Sequence, residues 1–193
     1  MHIAVAAEQR GWRTLLGDLD EHSRSSAEWA QVRENTEAPV VIDASGTDIP
    51  TLKQQVADNG FDLLILDCPP YVNEIVASAT EAADYTLIPC QPRFNDMRTL
   101  SRVIDSVHEP YTVVLNACTP GLNSRESSKT NEARSSLVAA GIDVCPVSIV
   151  RREALTDALN SGAAVLEFEP DGKAAKEMNE LFQWVEEKFN GQA

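Results

Sequence analysis

Six short runs rich in Val, Ile and Leu, at residues 13–18, 39–43, 61–67, 85–89, 111–116 and 143–149, alternate with stretches of helical spacing. This alternation restricts the chain to an α/β fold, a mainly parallel twisted sheet with helices on both faces. The helix signals fall between the runs. Ser23 precedes a segment containing Trp29, while Asp48 with Pro50 at the first turn opens a helix that stops at Gly60. Asn95 caps a helix running through Met97, Leu100, Val103, Ile104 and Val107, and residues 124–140 form another. Residues 152–160 follow, and a last amphipathic helix carries Met178, Leu181, Phe182, Val185 and Phe189 on one face, a stripe suited to core or dimer packing. With 193 residues, 43% of them hydrophobic, and no Pro/Gly/Ser-rich divide, one domain over residues 1–193 is expected.

The first twelve residues admit a strand or a helix. A strand at residues 2–7 would leave only residues 8–12 to reach the parallel strand starting near Arg13, and a parallel crossover needs about a dozen residues or more. The Ala-rich segment with Ile3, Ala6, Ala7 and Arg10 at helical spacing is therefore expected to be helical, with Gly11 as a left-handed C-terminal stop.

Two of the apolar runs end in acids: TLLGDLD, residues 14–20, and LLILDCPP, residues 63–70. In an open α/β sheet the C-terminal strand ends form the ligand edge. Asp18, Asp20 and Asp67 converge there if their strands are neighbours, and such carboxylates suit magnesium, a hard cation that keeps several waters. No glycine-rich phosphate loop accompanies them within these residues. The formal net charge of −14 argues against a surface that binds DNA or anionic lipid by counterion release, so any nucleic-acid role is local or carried by a partner. Cys68, Cys90, Cys118 and Cys145 lack metal-ligand spacing and are expected as small buried thiols. No apolar run reaches membrane-spanning length, and no signal peptide is visible, so a cytoplasmic location without membrane contact is expected.

Taken together, these motifs resemble the ParA/MinD family of deviant Walker A (P-loop) ATPases, most closely the small plasmid-partition ParA proteins. TLLGDLDEHSRSSAEW, residues 14–29, is similar to the family's second strand and VDxDPQxSxxxW segment, and residues 61–70 to its Walker B strand. AADYTLIPCQP, residues 82–92, is similar to "aaDlvliPvqPs", residues 113–116 to the "vlN" strand, and residues 149–177 to the family's closing "I..R..f..Al..G.sv.E..p...Aa.Ei". MHIAVAAEQRGWRTLLGDLD, residues 1–20, fits "nLAaalaerGkrvLlvDlD", so the chain is expected to start within the helix that follows the P-loop.

The resemblance implies a P-loop NTPase-like, SIMIBI-type domain in which the first strand and the KGGxGKT Walker A loop are missing. It implies ATP and Mg2+ as cofactors, with Asp20 orienting or activating the attacking water. Asp18 and Asp67 would hold magnesium through waters, Asn116 would contact adenine, and Arg152 matches a position that contacts DNA in some relatives. The implied function is a plasmid or chromosome partition ATPase that dimerises with ATP, binds DNA non-specifically, and answers to a centromere-binding, ParB-type adaptor; such a protein is nucleoid-associated when on DNA. Without the loop's amides and lysines, nucleotide binding is expected to be impaired or lost. The family's first strand lies mid-sheet, so the fold must close a gap or leave apolar strand edges unpaired. Glu21-His22 replaces the family's Pro-Gln and Gly17 an apolar residue; His22 is expected to be a solvated loop residue.

Two other readings compete. The first is a P-loop-less ParA-like pseudoenzyme acting through a partner, as a homodimer or in a heterodimer with a complete ParA homologue. The second is a two-component receiver-like domain, against which stand Asn116 where a Lys is required and some seventy further residues.

Overall fold

The computed structural model describes residues 1–33, 37–122 and 126–191. The elements run α1 (His2–Gln9), β1 (Thr14–Asp18), α2 (Ser25–Val32), β2 (Val40–Asp43), α3 (Ile49–Asp58), β3 (Leu63–Asp67), α4 (Glu74–Ala82), β4 (Thr86–Cys90), α5 (Phe94–Ile104), β5 (Tyr111–Leu115), α6 (Ser128–Ala139), α7 (Glu153–Asn160), α8 (Val165–Phe168) and α9 (Lys173–Asn190).

Residues 2–9 are helical, and Gly11 at φ +88 ends the helix. Its N–H donates to the Glu8 carbonyl (2.9 Å) and that of Trp12 to Ala7 (3.1 Å), the two bonds of a Schellman stop. The Asp48 side chain caps α3 by accepting from the Thr51 N–H (3.0 Å).

All strand pairs are parallel, in two sheets of order β2-β1-β3 and β4-β5. Among the described residues β3 and β4 do not pair with each other. The edge of β3 away from β1 and the edge of β4 away from β5 pair with no described strand. The core follows the same division. On one face a continuous cluster under α1, α7, α8 and α9 reaches both sheets, touching Leu63 and Ile65 of β3 and Leu87 of β4. On the opposite face it splits into one cluster under α3 and α4 and another under α5 and α6. β1 is buried along its whole length, whereas every residue of β3 is only half-buried.

Three sequence expectations need correction. The run at 143–149 is not a regular strand; it follows β5 through the isolated bridge Val113↔Val144 and the bond from the Ile149 N–H to the Leu115 carbonyl (2.9 Å), because Pro146 interrupts the donor series. Arg134 pins the interruption, donating to the Cys145 carbonyl and to Ser148 Oγ (2.6 Å). Asn95 is not the cap of α5: Arg93 holds that position, and the helix ends at Ile104, before Val107. α2, which contains Trp29, follows Ser23 as expected, with Arg24 at its cap position. α6 begins at Ser128 with Ser127 as its cap, and the expected start at Ser124 lies outside the described residues. The sequence signals also passed over α4, capped by Asn73 Oδ1 on the Val76 N–H (2.9 Å), and the short α8.

Candidate functional site

β1 and β3 pair in register to their last residues, which sets Asp18 opposite Asp67 at the C-terminal edge. The sequence that follows β1 then turns back over them. Arg24 occupies the N-cap of α2 in the left-handed region (φ 49), ion-pairs with Asp43 (2.6 Å) and makes no side-chain cap. Asp18 supplies the missing cap from the neighbouring strand end. Its Oδ2 accepts the N–H groups of Ser26 (2.9 Å) and Ala27 (3.1 Å), and its Oδ1 accepts that of Asp20 (3.0 Å). Ser26, fully buried, donates its hydroxyl to Asp67 Oδ2 (2.5 Å). The core of the site is thus Asp18, Ser26 and Asp67.

Asp20 stands beside this trio but serves the loop, accepting from the His22 and Ser23 N–H groups (both 3.1 Å). The His22 ring is exposed, as expected of a loop residue. Among the described residues no three His, Cys, Asp or Glu side chains gather as a metal-holding group, so the expected convergence of three acids narrows to a pair. Ser26 was not singled out in the sequence. Ser23, Ser25 and Ser26 are equal candidates there for a turn or cap, and only the fold shows which hydroxyl meets Asp67.

Asn116 follows β5, and its Oδ1 accepts from the N–H of Ala117 (2.8 Å), a residue at φ +48. Arg152 lies at the cap of α7 and donates to Glu177 Oε1 (2.5 Å); Glu177 Oε2 also accepts the Val150 N–H (3.0 Å). Its charge is neutralised, and its buried Nε has no partner among the described residues. The cysteines are free, and burial pushes the Cys68, Cys90 and Cys145 thiols up to about 11, which leaves them unreactive at neutral pH.

The Asp18–Asp67 pair suits the cation side of a nucleotide site: two carboxylates are hard oxygen ligands, apt for a hydrated magnesium ion. None of the nine glycines in these residues belongs to a glycine-rich loop. The two carboxylates fit magnesium.

A family model described as an AAA domain matches residues 45–112. Across 95% of its length the chain is 24% identical to the Maintenance of carboxysome distribution protein A of Halothiobacillus neapolitanus, of which it covers 87%. The chain has a MinD-like fold. Its fold matches the septum site-determining protein MinD of Pyrococcus horikoshii, solved with Mg-ADP, at a TM-score of 0.69 and 15% identity over 100% of this chain and 90% of that one. A ParA family ATPase from Chlorobium tepidum matches at a TM-score of 0.63 and 16% identity, with coverages of 94% and 89%. These likenesses establish the α/β architecture with helices on both sides of parallel sheets. No described helix of the chain is long and apolar enough to cross a membrane.

Proposed function

We propose that the chain is a ParA-type cargo-positioning protein, for plasmid or chromosome DNA or a protein compartment, that retains the magnesium-and-water half of an ATPase site. The observation supporting this reading is the in-register Asp18–Asp67 pair bridged by Ser26 within a MinD-like fold. Asp20, beside the pair, is the candidate for the water-orienting acid, and Asn116 at the end of β5 is the adenine-side candidate. The polypeptide works as a homodimer or with a complete homologue, and its adaptor is of the ParB class. DNA contact falls to the partner rather than to Arg152, which is ion-paired to Glu177 in a chain of net charge −14.

Calorimetric titration of the 193-residue polypeptide with Mg·ATP tests the phosphate deficit. No heat from a folded protein is expected, and micromolar binding would overturn the claim that ATP binding is impaired. Reading the DNA upstream of Met1 separates two versions. An in-frame strand and KGGxGKT loop make these residues part of a complete ATPase, and their absence favours the pseudoenzyme.

A further inference from the structure

The geometry points to Ser26 as a positioning residue that gates the carboxylate pair, with α2 acting as a bar held at both ends. This rests on the reading of Asp18 and Asp67 as cation-side acids. At the N-terminal end of the bar, the Ser26 and Ala27 N–H groups take up both lone pairs of Asp18 Oδ2, and the Ser26 hydroxyl bonds Asp67. Asp18 is 2% exposed in this arrangement, so a hydrated cation reaches its Oδ2 only if the first turn of α2 withdraws.

At the other end, eight helical residues away, roughly 12 Å along the axis, α2 is fastened to the C-terminal segment. Trp29 Nε1 donates to the Ala163 carbonyl (3.2 Å), and the Arg33 guanidinium lies over the Trp29 ring at 4.9 Å. Arg33 reaches the Gly162 carbonyl (3.2 Å) and forks onto both oxygens of Glu167 (2.8 and 2.6 Å). Helix α2 is two turns long and carries no proline or glycine, so it moves as one piece. Grip at Glu167 therefore keeps the acids covered, and loosening the α7–α8 turn uncovers them. The contact is autoinhibitory toward a cation and couples the site to the face carrying α7 and α8.

Two measurements on the whole polypeptide test this. Native-state hydrogen exchange reads the Ser26 and Ala27 amides in wild type, Glu167→Gln and the milder Trp29→Phe. Acceleration at these two amides about tenfold beyond any change in the β5 amides is expected, and uniform acceleration would refute the coupling. Mn2+ binding, followed by water-proton relaxation, reads the gate. Ser26→Ala should bind Mn2+ several-fold more tightly than wild type, an outcome that mere loss of a structural bond does not produce. Equal or weaker binding by Ser26→Ala refutes the gate. If Asp67→Asn leaves Mn2+ binding unchanged, the cation-side reading of the acids falls, while the exchange data still decide whether α2 links the two ends.

Discussion

At Gly162 the backbone adopts φ +74, and a Cβ built there would lie 2.6 Å from the Val32 carbonyl oxygen. Both the left-handed conformation and the contact require a residue without a side chain, so Gly162→Ala should cost about 2–4 kcal/mol in urea unfolding. The adjacent Arg33–Glu167 pair explains why a glutamate follows five residues later. Burial alone would raise the Glu167 carboxyl, but the Arg33 hydrogen bonds and the Ala164 N–H outweigh it and hold the carboxyl below its usual value. Glu167→Gln strands the Arg33 guanidinium, whose side chain is 4% exposed, and should cost about 3–5 kcal/mol; Arg33→Met with Glu167→Leu should recover much of that. His2 sets a pH dependence. Its Nδ1 accepts the Val165 N–H (3.1 Å), and burial pushes its pKa down to about 4 from an ordinary 6.5. The unfolded chain binds the proton first, so stability falls as pH drops from 6.5 toward 4, by roughly 3 kcal/mol in all. Urea midpoints at pH 7.5 and 4.5 should diverge less in His2→Gln than in wild type. At this scale the sequence revealed the acids through their place at strand ends but not their partners: Ser26 depends on a contact 41 positions away.

Elements were legible where a local signal governed them. Gly11 stops α1 through its own bond to Glu8 and that of Trp12 to Ala7, all within residues 7–12, and the shortage of crossover residues excluded a strand there. The run at 143–149 misled because its composition is that of a strand while Pro146 withholds one donor, and pairing is decided by the ladder, not by composition. Asn95 misled for a related reason: a good capping residue sits one position inside the first turn, and Arg93 holds the cap without a side-chain bond. α9 shows its role through burial on one stripe. Phe182 is fully buried, and Trp12 meets it edge-on with ring centroids 6.1 Å apart. The stripe joins the cluster that reaches both sheets, so its expected use as core is the one observed. Phe182→Ala should cost about 3–5 kcal/mol, and because the lost contacts bridge the two sheets, circular dichroism and Trp fluorescence should report a broader, less cooperative denaturant transition.

Across the molecule, the two sheets are held together by one face of helices. Among the described residues β3 and β4 share no ladder, and the alternation of strands and helices in the sequence did not show where the parallel pairing would be interrupted. Leu63 and Ile65 contact the bridging cluster, Leu64 and Leu66 the separate cluster opposite, so β3 is clamped on both faces while its edge away from β1 pairs with no described strand. Amides of β1 lie between β2 and β3 and can exchange only when pairing is lost on a side; alternate amides of β3 and β4 face the division and have no ladder acceptor there. Native-state exchange under increasing denaturant should therefore sort the strands. β1 and β5 amides should exchange through global unfolding, with a steep denaturant dependence, and the division-facing amides of β3 and β4 through small local openings that denaturant hardly changes. Protection of β3 and β4 equal to that of β1 would mean that the edges find a partner in solution. Dilution would then identify it: protection that fades with concentration indicates pairing between copies of the chain, and protection independent of concentration indicates closure of the division within one molecule.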